Sequence, residues 1–140
     1  EMCIRDSYDD MSTLRVDRIA HITVLNERRK PLREIKGYQQ QRTFNVSQYV
    51  KEHIYMFGGE SITVTFKARR SIVNQILDWF DGNVEFTNIT ADNVVCRVRV
   101  NHDAFKYWAL QYMQSVKVLT PASLVTEVKA AIEEGLHQYS

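Results

Sequence analysis

Two cysteines, two prolines and five glycines among 140 residues leave this chain few covalent or backbone devices for forcing a fold. Cys3 and Cys96 support neither a disulfide framework nor a thiolate metal site, and Cys96 alternates in phase with Val94, Val98 and Val100 as a small buried hydrophobe does. No apolar run approaches the roughly 20 residues of a membrane span, and no charged, apolar, small-residue series opens the chain as a secretory signal would. No membrane contact is therefore expected, and the expected compartment is cytoplasmic. Net charge is nearly absent too, at +1, so any strong positive potential has to be local. His21, His53, His102 and His137 stand at no ligand spacing, and neither a glycine-rich phosphate loop nor a nucleophile elbow occurs. The expectation is no metal, no cofactor, no catalytic residue and no enzyme.

What is present is a 44% hydrophobic, 25% charged chain, enough for one full core or for one domain and a fragment. Residues 1–7, Glu-Met-Cys-Ile-Arg-Asp-Ser, resemble the translated read-through of a transposon-end sequencing adapter and are set aside from fold reasoning. Residues 14–25 alternate loosely and are rich in β-branched side chains, which predicts one or two strands with a bend, the tail of a sheet domain spanning 8–27. Residues 28–58 then read as a basic linker: Arg28, Arg29, Lys30, Arg33 and Lys36 surround Pro31. A short helix follows, capped by Asn45 or Ser47 and reaching about His53.

From residue 59 to 140 the pattern is ordered. Ile62, Val64, Phe66 and Ala68 alternate with polar residues as a strand. Ser71 is placed to cap a helix with the stripe Ile72, Val73, Ile76, Leu77 and Phe80, ended by Gly82. Val84 and Phe86 open a second strand, Thr90 to Asn93 turn, and Val94 to Val100 return as a third. Asn101 caps a helix carrying Phe105, Trp108, Ala109 and Tyr112. Val116 and Val118 mark a fourth strand, and Thr120-Pro121 starts a last helix with Leu124, Val128, Ala131, Ile132 and Tyr139 on its buried side. Fraying toward Ser140 is expected beyond Gly135. The predicted fold class is α+β, a ferredoxin-like βαββαβ unit plus a C-terminal helix. Its open face would carry Thr63, Thr65, Lys67, Glu85, Thr87, Val95, Arg97, Arg99 and Lys117. That face lacks the aromatics with which RNA readers of this topology stack bases.

Two motifs remain: Leu14-Arg15-Val16-Asp17-Arg18-Ile19, and Tyr107-Trp108-Ala109-Leu110 followed by Val116-Lys117-Val118-Leu119-Thr120-Pro121. With Glu52-His53-Ile54-Tyr55-Met56-Phe57-Gly58 between them, the chain from about Tyr8 onward resembles the C-terminal half of bacterial WYL-domain transcriptional regulators. The resemblance implies that residues 8–27 are the last strands of an incomplete Sm-like WYL barrel and that 59–140 are its C-terminal extension. It further implies an upstream helix-turn-helix that reads DNA, a homodimer, and an anionic nucleotide or oligonucleotide effector. Arg15 and Arg18 map to the basic pocket of that family, with Asp17 placed to orient one of them. A guanidinium suits phosphate because it presents paired donors in one plane and stays charged. Arg69 and Arg70, just before a helix start, are a possible secondary anion contact. Where the family has glycine this chain has Met113, so the helix there must end without a left-handed residue or at a cost of about 1 kcal/mol. The competing reading is a pure dimerisation or interaction module that binds no ligand.

Overall fold

A computed structural model describes residues 2–5, 10–13, 16–29, 31–34, 45–80 and 82–140. Its strands are β1 (Met2–Arg5), β2 (Asp10–Thr13), β3 (Ser61–Arg69), β4 (Val84–Ile89), β5 (Asn93–Asn101) and β6 (Val116–Thr120). Its α-helices are α1 (Val46–Glu52), α2 (Val73–Phe80), α3 (His102–Gln111) and α4 (Ala122–His137). Single 3-10 turns cover Val16–Arg18, Leu32–Glu34, Ile54–Met56 and Arg70–Ile72.

The alternation of β3 and β5 decides the architecture. Val64, Phe66, Ala68, Val94, Cys96, Val98 and Val100 all point to one side and are buried, while Lys67, Arg97 and Arg99 point to the other and are exposed. Onto the apolar side α2 lays Ile76 and Phe80, and α3 lays Ala104, Phe105, Trp108 and Ala109. The sheet runs β4-β5-β3-β6 with every pairing antiparallel. That order, with α2 and α3 as crossovers on one face, is the ferredoxin-like α+β arrangement expected, C-terminal helix included.

An aromatic cluster fills the middle. Phe66 lies 5.2 Å from Phe105, and the Phe80 and Trp108 rings meet edge-on at 4.8 Å. Such pairs add to simple area burial. Asn101 works at three joints at once: its side chain caps α3 by accepting from the Ala104 N–H at 3.0 Å, and donates to the carbonyls of Gly58 and Glu60. Asn45 caps α1 the same way, through the Gln48 N–H at 3.0 Å.

Four expectations change. Residues 14–25 are not strand where described: Val16–Arg18 form a 3-10 turn, no ladder follows, and Ile22, Val24 and Leu25 stay exposed. A strand exists only as half of a ladder, and no neighbouring strand pairs with this stretch among the described residues. Instead the start of the chain pairs locally, β1 with β2. Ser71 falls inside the Arg70–Ile72 turn, whose cap position is held by Arg69 without a side-chain cap. Leu77, placed on the buried stripe of α2, is 36% exposed. On α4, Leu124 and Val128 are buried but Ile132 and Leu136 are exposed, as is Tyr139 just past its end, because α3 and β6 pack on its earlier turns. At Met113 the backbone stays out of the left-handed region, and α3 ends by tightening: Met113 N–H donates to Leu110 at 3.3 Å and Ser115 N–H to Tyr112 at 2.8 Å.

Candidate anion-binding site

Asp17 and Arg18 sit on the Val16–Arg18 turn with both side chains exposed to solvent. Arg15 lies outside the described residues.

Arg69 ends β3 and Arg70 opens the Arg70–Ile72 turn that follows. Their backbone N–H groups are spent on Ser115 and Asp92 carbonyls, both at 2.9 Å, which ties the strand end to the β5 turn and to the start of β6. Arg69, Arg70, Ser71, Ala91, Asp92 and Asn93 enclose an open depression of about 420 Å³. Arg70 directs a guanidinium N–H at the Thr90 carbonyl, 3.4 Å away, and Asp92 contributes a carboxylate to the rim. That rim carries mixed charge, which weakens it as an anion cradle. Neither Asp17 nor Arg18 forms part of its wall, so the structure does not unite the two pairs in one pocket.

Sequence reasoning missed a polar cluster between α3 and α4. His102 places Nδ1 3.0 Å from Asp103 and Nε2 3.1 Å from Glu127, and Lys106 reaches the other Glu127 oxygen at 3.3 Å. Asp103 and Lys106 are close in sequence, but Glu127 joins only through helix packing, which no spacing rule could reveal. His53 is different: it is buried, stacked on Tyr49 at 3.9 Å, with Nδ1 and Nε2 facing the carbonyls of Tyr49 and Gly59. Its partners are backbone acceptors, so its role is to fasten α1 to the start of β3. Among the described residues no group of three or more His, Cys, Asp or Glu side chains could hold a metal ion.

Tyr55 is the one non-glycine residue with positive φ among those described, at 58°. The strain is held by a hydroxyl donated to Gln111 at 2.6 Å and a ring 4.7 Å from Trp79. Burial, with the nearby Tyr112 hydroxyl adding to it, pushes the Tyr55 phenol above its ordinary range. Burial alone pushes the Cys96 thiol up to about 11, the behaviour of a packed hydrophobe and not of a reactive thiolate.

A four-stranded α+β unit beginning near Gly59 is matched by a family model, the WCX domain, over residues 59–136, more than half of the chain. The chain belongs to the WCX domain family. WCX domains occur in WYL-associated regulators, which agrees with a regulatory WYL-type assignment for the matched part. No curated protein matches the chain. No helix among the described residues is long and apolar enough to cross a membrane. The structured WCX unit also extends beyond the matched span: Ile54 is only 7% exposed within the core cluster, and Phe57 stacks on Tyr107 at 5.3 Å.

Proposed function

We propose that this chain is a non-catalytic sensing and dimerisation part of a WYL-type transcriptional regulator, and that Arg15 and Arg18 bind an anionic nucleotide or oligonucleotide-like effector. The observation that carries the reading is the WCX match at residues 59–136 downstream of the Arg15-Val16-Asp17-Arg18 series, whose Arg18 guanidinium is exposed. Asp17 would orient one guanidinium by an ion pair. Effector binding would then favour one arrangement of the barrel end relative to the WCX unit, and an upstream helix-turn-helix would read the resulting dimer geometry on DNA. Coupling of this kind requires the effector to prefer one of the two arrangements.

The second reading, an interaction module without a ligand, draws on α4. Ile132, Leu136 and Tyr139 recur at helical spacing and are 38%, 69% and 92% exposed, an apolar stripe suited to a partner subunit.

Polarisation titration with a labelled single-stranded pentanucleotide tests the effector site. Arg15→Ala and Arg18→Ala should each weaken binding about tenfold or more, the cost of one charge-assisted contact. Equal affinity in both variants removes the assignment. Dimerisation, common to both readings, is tested by sedimentation of the chain: a dimer that dissociates in Leu136→Glu supports it and a monomer removes it, while a dimer that binds no pentanucleotide leaves the second reading.

A further inference from the structure

The outward face of the WCX sheet holds a charge arrangement that neither the effector site nor packing explains. Register places Lys67 of β3 directly opposite Lys117 of β6, and Thr65 opposite Arg97 of β5. Arg69 follows Lys67 on the same row of β3. All four cations are exposed, and among the described residues none has an ion-pair partner. Glu85 stands opposite Arg97 without pairing to it. Strand spacing sets neighbours about 5 Å apart across the sheet and about 7 Å along it.

Like charges facing each other across strands cost stability. Lysines on sheet edges commonly discourage edge-to-edge association, which accounts for Lys117 on the edge strand β6. It does not account for Lys67 or Arg97, which lie on the two central strands. The patch also has a defined limit. Arg99, next along β5, is neutralised by Glu52 of α1 at 3.4 Å, and Lys51 of the same helix lies beside Gly82, so α1 closes that end of the sheet. At the other end Arg69 borders the depression that Asp92 also lines, so the charge there is mixed and the cationic row centres on Lys67, Lys117 and Arg97.

We propose that this face contacts the sugar–phosphate backbone of duplex DNA, independently of sequence and of the Arg15–Arg18 site. Cations and the hydroxyls of Thr63 and Thr65 are the groups that bind phosphate oxygens. Single-stranded nucleic acid is disfavoured as occupant because the face presents no aromatic ring on which bases could stack. Base reading is disfavoured as well, since a broad sheet face does not enter a groove as a helix or two-stranded ribbon does. The role inferred is a positioning one: the WCX unit rests on a phosphate rail and adds affinity without adding sequence preference.

The experiment is polarisation of a labelled duplex of about two helical turns with the whole chain, between about 50 and about 200 mM salt. Contact with three or four phosphates gives a log–log slope of about −2.7 to −3.6, a loss of roughly fortyfold or more over that range. Lys67→Ala and Lys117→Ala should each reduce the slope by about 0.9 and weaken binding to scrambled and unscrambled duplexes alike. Arg99→Ala, whose guanidinium is already paired to Glu52, should change neither slope nor affinity, and the lysine variants should leave pentanucleotide binding intact. Circular dichroism confirms that these exposed substitutions leave the fold unchanged. Unchanged slope and affinity in both lysine variants overturn the proposal. So does an outcome in which the same variants lose binding to labelled polyglutamate while duplex binding survives, which assigns the face to an acidic protein.

Discussion

At Cys96 the physics is that of a hydrophobe that happens to carry a proton. Its thiol, fully buried and raised to about 11 from 9.0, favours the protonated form in the folded state. The linkage sign follows: the folded chain binds this proton more tightly than the unfolded chain, so the contribution is present below pH 9.0 and is lost as pH rises toward about 11. In a Cys3→Ser background, Cys96 should resist a thiol reagent at pH 8 until denaturant unfolds the unit. Labelling at the rate of a free thiol contradicts the assignment. Tyr55 makes a sharper test, because its positive φ opposes its side-chain contacts. Tyr55→Ala keeps the strain and loses the Gln111 bond and the Trp79 contact, whereas Tyr55→Gly loses the contacts but relieves the strain. In urea melts Gly should therefore be the more stable of the two by about 1 kcal/mol. The Lys67–Lys117 opposition predicts a stabilising substitution: Lys67→Thr should raise unfolding free energy by a few tenths of a kcal/mol. No gain, or a loss, would mean the two ammonium groups are already separated by solvent.

Elements differ in how far their residues announce them. Strands β3 and β5 were legible because alternation on a half-buried sheet is a strict period of two, and the caps at Asn45 and Asn101 because a short polar side chain before an apolar helix has few other uses. The failures have a common cause. Residues 14–25 and the end of α4 carry apolar patterns that, in the described structure, nothing covers. A pattern says which side would be buried; it cannot supply the covering surface. The Glu52–Arg99 and His102–Glu127 pairs were invisible because each joins elements distant in sequence. Segment 45–58 is the instructive case, since a stretch read as linker contributes Ile54 and Phe57 to the core and a buried His53 that fastens it. Burial of Ile54 stabilises by about 1.5–3 kcal/mol, and the half-buried Phe57 adds less. A chain starting at Gly59 should accordingly melt well below one starting at Asn45, by more than about 1.5 kcal/mol in denaturant titration. Equal stabilities would return the segment to the status of a linker.

For the whole molecule, a net charge of +1 conceals three separate cationic regions: the Arg15–Arg18 stretch, the basic series around Pro31, and the outward face of the sheet. Each holds an acidic residue as well, Asp17, Glu34 and Glu85 in turn, and Glu127, Glu133 and Glu134 lie on α4. The candidate effector site was legible only as residue types, because its first arginine lies outside the described residues and its neighbours make no ladder. By contrast the WCX unit positions every group on its sheet by register. The division of labour that follows assigns the effector to the arginines before residue 20 and assigns backbone contact to the sheet after residue 59. The most direct measurement is the polarisation titration of a labelled pentanucleotide against the unaltered chain and against Arg18→Ala. Arg18→Ala should lose about tenfold or more in affinity, with Lys67→Ala binding as the unaltered chain does. Identical titration curves for the unaltered chain and Arg18→Ala would contradict the effector assignment.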